Sequence, residues 1–240
     1  MTRVVALLLS LILNFAQGPS LPYPGHGGGT TPPVTFTFQQ KVTCNQAVAA
    51  QCNFTITTTA GRAGIILTIG SSNHASIVSI TTNAGTWNLS PGTCQVVSGV
   101  GAWTPDCAWI ASETACVACT IGVTMTCASC NYQGVYAEYS YTGGTPTLDA
   151  AVGTSVNTSC TSCVGPALTL AGTSDVIVQA VSACTGSGAV SGNAFTTPAW
   201  TQSVAGIFFS AGSAVNTSNG GSPTWACSVD TVAMEGLALK

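Results

Sequence analysis

Between Val117 and Cys127 the odd positions read Val117, Cys119, Ile121, Val123, Met125 and Cys127, and the even ones are Thr or small. A period of two over so many residues predicts a β-strand with one face buried. A second strand follows at once, with Val135, Ala137, Tyr139 and Tyr141 on one side and Tyr136, Glu138 and Ser140 on the other. Cys127-Ala-Ser-Cys130 lies between them, so the pattern predicts a disulfide-pinned hairpin at the centre of the chain.

The same rhythm extends outward from that centre. Val34–Lys41, Asn53–Thr59 and Ala63–Gly70 read as strands, and Ser76–Thr81 with Thr86–Leu89 reads as a hairpin around Asn83-Ala-Gly85. Pro91–Pro105 reads as loop, Leu148–Val156 as a weak edge strand, and Asn157–Pro166 as a cysteine-bearing loop. Ser174–Cys184 is apolar on both faces and reads as a central strand. Ala199–Gln202 pairs with Gly206–Ser210, and Thr231–Lys240 closes the sheet. A dozen short strands without a helix predict an all-β, antiparallel β-sandwich of jelly-roll type.

Three segments are expected. Residues 1–16 carry one early cation and an apolar run from Val4 to Leu13, shorter than the roughly 18–20 residues of a membrane span. That segment reads as a secretory signal peptide, with no membrane span in the mature chain. Residues 17–33 are rich in Pro and Gly and read as a spacer; residues 34–240 form a single β-sandwich domain. The expected location is therefore secreted, extracellular or cell-surface.

Twelve cysteines, an even number, in an exported chain predict disulfides. Three pairs have C-x-x-C spacing: Cys116–Cys119, Cys127–Cys130 and Cys160–Cys163. A zinc site shared by the first two fails on distance, because eight strand steps place Cys119 about 26 Å from Cys127. A redox role needs a helix N-terminus to acidify a thiol, and no helix is predicted. The remaining six allow 15 pairings. Locality favours Cys44–Cys52, Cys94–Cys107 and Cys184–Cys227, which makes the domain disulfide-rich.

Charged residues are 5% of the chain and the formal charge is −3. Without Arg3 the count is three cations against seven acids, or −4. A phosphate backbone needs far more cations, so nucleic acid is not an expected partner.

Several stretches together are similar to a jelly-roll module common in exported and surface-attached bacterial proteins: AGRAGIILTIG, SITTNAGTWNLS, YQGVYAEYSYTGGTPTLDAAVG, LAGTSDVIVQAVS and VAMEGLALK. The resemblance covers about residues 34–240 and implies fold and export. Its motifs are packing motifs, so it implies no activity, and the cysteine load departs from it.

Chemistry is sparse. His26 falls in the spacer and His74 in SSNHAS, with no G-x-S-x-G elbow and no phosphate loop. Glu138 reads as a strand residue meeting solvent or hydrogen-bonded to a neighbour; Glu113, Asp106, Asp149, Asp175, Asp230 and Glu235 could partner it, but no spacing pairs any two. No catalytic residue, no cofactor and no metal site is predicted, although scattered aspartates leave calcium open. Trp103, Trp200 and Trp225 lie in GAWTPD, TPAWTQ and SPTWAC, where exposed rings could stack on sugars or, alternatively, plug the ends of the sandwich. Trp87 and Trp109 read as core. N-x-S/T occurs at Asn53, Asn88, Asn157 and Asn216.

The expected function is a secreted, non-enzymatic binding module for carbohydrate or cell-surface attachment, with a polysaccharide or cell-surface glycan as partner. The alternative is a self-associating structural subunit of a surface layer or filament. A glycoside hydrolase ranks below both.

Overall fold

The computed structural model describes residues 32–70, 76–89, 104–127, 130–183, 190–191, 195, 198–203, 209–218, 220 and 224–240. The expected signal segment and spacer up to residue 31, His26, His74, Cys94, Trp103 and Cys184 lie outside them.

Every regular element described is a strand: β1 (Thr35–Ala49), β2 (Cys52–Thr58), β3 (Ala63–Gly70), β4 (Ile77–Thr81), β5 (Asn88–Leu89), β6 (Thr104–Ile110) and β7 (Cys116–Met125). There follow β8 (Cys130–Thr142), β9 (Leu148–Val164), β10 (Asp175–Ala183), β11 (Val190–Ser191), β12 (Trp200–Ser203), β13 (Phe209–Thr217) and β14 (Thr224–Leu239). They form three antiparallel sheets. One runs β1-β8-β3-β6-β5, a second β2-β7-β4, and a third β11-β14-β10-β13-β12 with β9 also on β14.

The first sheet is buried on both faces. Ile65, Leu67 and Ile69 of β3, with Val135, Ala137 and Tyr139 of β8, pack against Val176, Val178 and Leu237 of the third sheet. Ile66 and Tyr136 point the other way, into Phe54, Ile121 and Val123 of the second sheet. Alternation along a strand thus feeds two cores. Each fully buried Ile, Leu or Val contributes about 1.5–3 kcal/mol. No helix among the described residues is long and apolar enough to cross a membrane.

Two expected hairpins are corners instead. β7 pairs with β2 and β4, whereas β8 pairs with β1 and β3, so Cys127–Cys130 carries the chain from one sheet to another. Likewise β4 pairs with β7 and β5 with β6, so Asn83-Ala-Gly85 also changes sheets. Gly85 has φ 127°, a conformation a side chain would oppose. Cys127–Cys130 and Gly85 each send the next strand to another sheet rather than beside its predecessor, and β8 buries both faces there.

Other boundaries differ as well. Val117, expected on the buried face, is 85% exposed, because Ala118 turns the chain at φ 49° inside the Cys116–Cys119 loop. The expected loop at 157–166 is largely strand, since β9 follows β14 to Val164. The closing segment, in β14, runs between β9 and β10, and β9 lies at the edge as expected for Leu148–Val156, pairing among the described residues with β14. β10 is central as expected, between β13 and β14, and β12 pairs with β13.

Three cysteine pairs stand at disulfide distance: Cys44–Cys52, Cys116–Cys119 and Cys127–Cys130, each with Cα atoms 5.8 Å apart. Cys107 and Cys163 are also disulfide-bonded. The Cys160 and Cys227 side chains lie outside those described.

Candidate functional site

Trp200 and Trp225 do not present a sugar-stacking face. Trp225 is 0% exposed in β14, and Trp200 is 6% exposed in β12. The Trp200 ring is covered by Phe38, centroids 6.2 Å apart, and by the Lys41 ammonium at 5.5 Å. Its indole N–H donates to the Tyr139 hydroxyl at 2.9 Å, which donates to Ser213 Oγ at 2.8 Å. That relay joins the first and third sheets and explains the burial.

An apolar cavity lies elsewhere, where β4 leaves the second sheet and β5 joins the first, over the buried Trp87. A cavity of about 300 Å³ is lined there by Val78, Ser79, Ile80, Gly85, Thr86, Trp87 and Leu89. Val78 is 50% exposed and Leu89 37%, so the apolar rim faces solvent. Trp87 is the floor. Its ring packs on Tyr136 with centroids 6.2 Å apart, and its Cη2 lies 2.8 Å from where a Cβ on Gly64 would be. The far edge of the indole is thereby wedged against β3. The Trp87 Nε1–H is buried without a hydrogen-bond partner. A buried N–H left unpaired costs about 1–3 kcal/mol.

Behind the indole stands a carboxyl cluster. Glu113 is fixed by its backbone: its N–H donates to the Arg62 carbonyl at 2.7 Å, and its carbonyl accepts from Gly61 at 2.9 Å. Its side chain fills the space that Gly64 vacates, with both oxygens 2.8 Å from the Tyr136 hydroxyl. Glu138, two residues along β8 from Tyr136, shares that face. It pairs with Arg62 at 2.9 Å, accepts from the Thr59 N–H at 3.0 Å, and is bonded by the Gln40 amide. Burial, with the Glu138 charge adding, raises the Glu113 pKa to about 8 against the pull of Tyr136 and Arg62.

Two carboxyls side by side, one of them held neutral, is an arrangement used by glycoside-cleaving pairs. Here it lacks space. Glu113 is 3% and Glu138 0% exposed, and no carboxylate lines the cavity. Such a pair needs its carboxyls about 5–9.5 Å apart, with a sugar bond between them. Instead the cluster ties β8 to the turn before β3 and to the segment after β6. Glu138 does not meet solvent; it is hydrogen-bonded.

A second acidic pair lies on the third sheet. Asp149 accepts from Lys240 Nζ at 2.7 Å and from the Ala171 and Gly172 N–H groups at 2.6 and 3.2 Å. Burial acts to raise its pKa, but the bonds from Asp175, Lys240 and those amides outweigh it and bring it to about 2. Burial, then Asp149, raises Asp175 to about 7. No cluster of three His, Cys, Asp or Glu side chains suited to a metal occurs among the described residues.

The chain matches no family model, no curated protein and no solved structure.

The sequence did not mark the Trp87 cleft or the Glu113 cluster. Two signals were available. Gly64 opens an otherwise apolar strand, which implies close approach of another group. Tyr136 and Glu138 share the face opposite Val135, where the apolar pattern alone predicts only one polar contact.

Proposed function

We propose that this chain is an exported, non-enzymatic binding module of the jelly-roll sandwich class, whose ligand is a sugar residue of a polysaccharide or cell-surface glycan held in the Trp87 cleft. The observation that carries the reading is the cavity of about 300 Å³ lined by Trp87 beneath an exposed apolar rim of Val78 and Leu89. A pyranose offers the matching chemistry, with a C–H face for Val78, Ile80 and Leu89 and hydroxyls for those of Ser79 and Thr86. The volume is at the small end for a ligand pocket and suits one sugar ring. Disulfide pairs and very low charge support an extracellular setting.

The test is binding of the oxidised protein to a polysaccharide panel, beside a Val78→Lys, Leu89→Lys double variant and a Trp103→Ala variant. Both rim residues are exposed, so the double variant keeps the core. Loss of roughly tenfold or more in affinity, about 1.4 kcal/mol, in the double variant supports the cleft. Binding unchanged there but lost with Trp103→Ala moves the site to that loop.

A second reading is a structural subunit. β9 is 17 residues long and, among the described residues, pairs only with β14. A long edge strand can accept a strand from another copy. Concentration-dependent sedimentation tests it, and a monomer at every concentration removes it.

A further inference from the structure

The Cys116–Cys119 disulfide spans an irregularity at the start of β7. Cys116 pairs with Thr58 and Cys119 with Ile56, so β7 advances three residues while β2 advances two. The extra residue makes a bulge, and Ala118 turns there at φ 49°. That left-handed conformation is disfavoured for alanine, whose Cβ crowds the carbonyl that follows. Asn216 also has a positive φ, but its side chain is repaid by two hydrogen bonds to Phe36. The alanine side chain forms no such bond; the disulfide around Ala118 closes the turn at that residue.

The same pair is the most open to solvent among those described. Cys44, Cys52, Cys107, Cys130 and Cys163 are each at most 3% exposed. Cys116 and Cys119 are both half-buried, beneath the exposed Val117 and Ala118. Cys127 is half-buried as well, but its partner Cys130 is enclosed. β4 pairs with β7 only from Gly122 to Met125, so among the described residues no strand covers the far flank of the loop. Cys119 packs against the core of the second sheet, which leaves Cys116 as the outer member.

We propose that Cys116–Cys119 is an exchangeable disulfide, the site at which an external thiol adds to this chain. An incoming thiolate attacks the Cys116 sulfur and forms a mixed disulfide, while Cys119 leaves as a thiolate and takes a proton from water. A second external thiolate attacks the external sulfur of the mixed disulfide and releases Cys116. Two external thiols are thereby oxidised to a disulfide and the cysteine pair is reduced. The external thiol performs the attack, so no cysteine of this chain needs the acidifying helix end of a catalytic C-x-x-C. Reduction frees Ala118 to return to extended backbone. Val117, 85% exposed in the loop, then falls on the face of Cys119 and Ile121, as its place in the alternation dictates. Both changes favour the open form, and strained or exposed disulfides are the labile ones.

The experiment incubates the full, oxidised chain in buffers of reduced and oxidised glutathione at neutral pH. Samples are quenched in acid, which halts exchange, then digested with pepsin and mapped by mass. Cys116–Cys119 should open roughly tenfold or more faster than Cys44–Cys52 and Cys127–Cys130, with glutathione trapped on Cys116. Ala118→Gly takes the same φ without crowding, so its equilibrium with glutathione should shift about tenfold toward the disulfide, or about 30 mV. Opening of Cys116–Cys119 no faster than that of either other pair overturns the proposal. So does an equilibrium unchanged in Ala118→Gly, since the strained turn would then contribute nothing to the exchange.

Discussion

The side chain of Asn216 clasps the main chain of Phe36: Oδ1 accepts from the Phe36 N–H at 2.7 Å, and Nδ2 donates to the Phe36 carbonyl at 2.9 Å. Asn216 lies in β13 of the third sheet at φ 52°, and Phe36 lies in β1 of the first. One side chain acts as a strand neighbour across two sheets. Asn216→Gly keeps the left-handed backbone and removes both bonds, so it should cost about 1–3 kcal/mol. Asn216→Ala should cost about 1 kcal/mol more, for the strained φ. Urea denaturation of the three proteins measures both differences. Equal stability of the glycine variant and the natural chain would show that the clasp contributes nothing.

Gly64 should tolerate no side chain. A Cβ there would run into Glu113 Oε1 and would come 2.8 Å from Trp87 Cη2 and 3.0 Å from Ile110 Cγ2. All three neighbours are buried and cannot readily swing aside, so Gly64→Ala should destabilise by about 1–3 kcal/mol through overpacking. The same displacement should disturb the Trp87 floor. A lowered thermal midpoint with an altered near-ultraviolet spectrum is the expected result, and a midpoint equal to the natural chain's would contradict it.

Glu113 should make stability fall as pH rises. Its folded pKa is raised to about 8, above the ordinary 4.5 of an unfolded glutamic acid. Below 4.5 both states hold the proton and the contribution is complete. From there to about pH 8 the unfolded state releases it while the folded state keeps it, so folding stability declines. The loss is on the order of a few kcal/mol. Asp175 and Glu235 are raised too and slope the same way, so the natural chain alone does not isolate Glu113. Glu113→Gln does, since the amide is neutral throughout and can still meet Tyr136. Denaturation midpoints between pH 5 and 9 should slope less steeply for that variant, and parallel slopes would rule Glu113 out as a source.

The sequence by itself determined the strands and the chemistry available to them. The period of two in Ala63–Gly70, Ser174–Cys184 and Val135–Tyr141 places strands where they are found, because alternation depends only on neighbouring residues. The cysteine spacings of Cys44–Cys52, Cys116–Cys119 and Cys127–Cys130 were legible for the same reason: each closes within a few residues. Only the tertiary structure decided whether a turn makes a hairpin or a corner. Asn83-Ala-Gly85 and Cys127–Cys130 carry ordinary turn chemistry, and what sends β8 to another sheet is burial against residues far along the chain. The tryptophans follow the same division. TPAWTQ and SPTWAC look like loop segments, yet Trp200 and Trp225 are buried by partners such as Phe38, Lys41 and Tyr139 that no local pattern connects to them. Trp87 reads as core and is core, but the cavity above it exists because two strands of different sheets part there, a relation between sheets and not between neighbours in sequence.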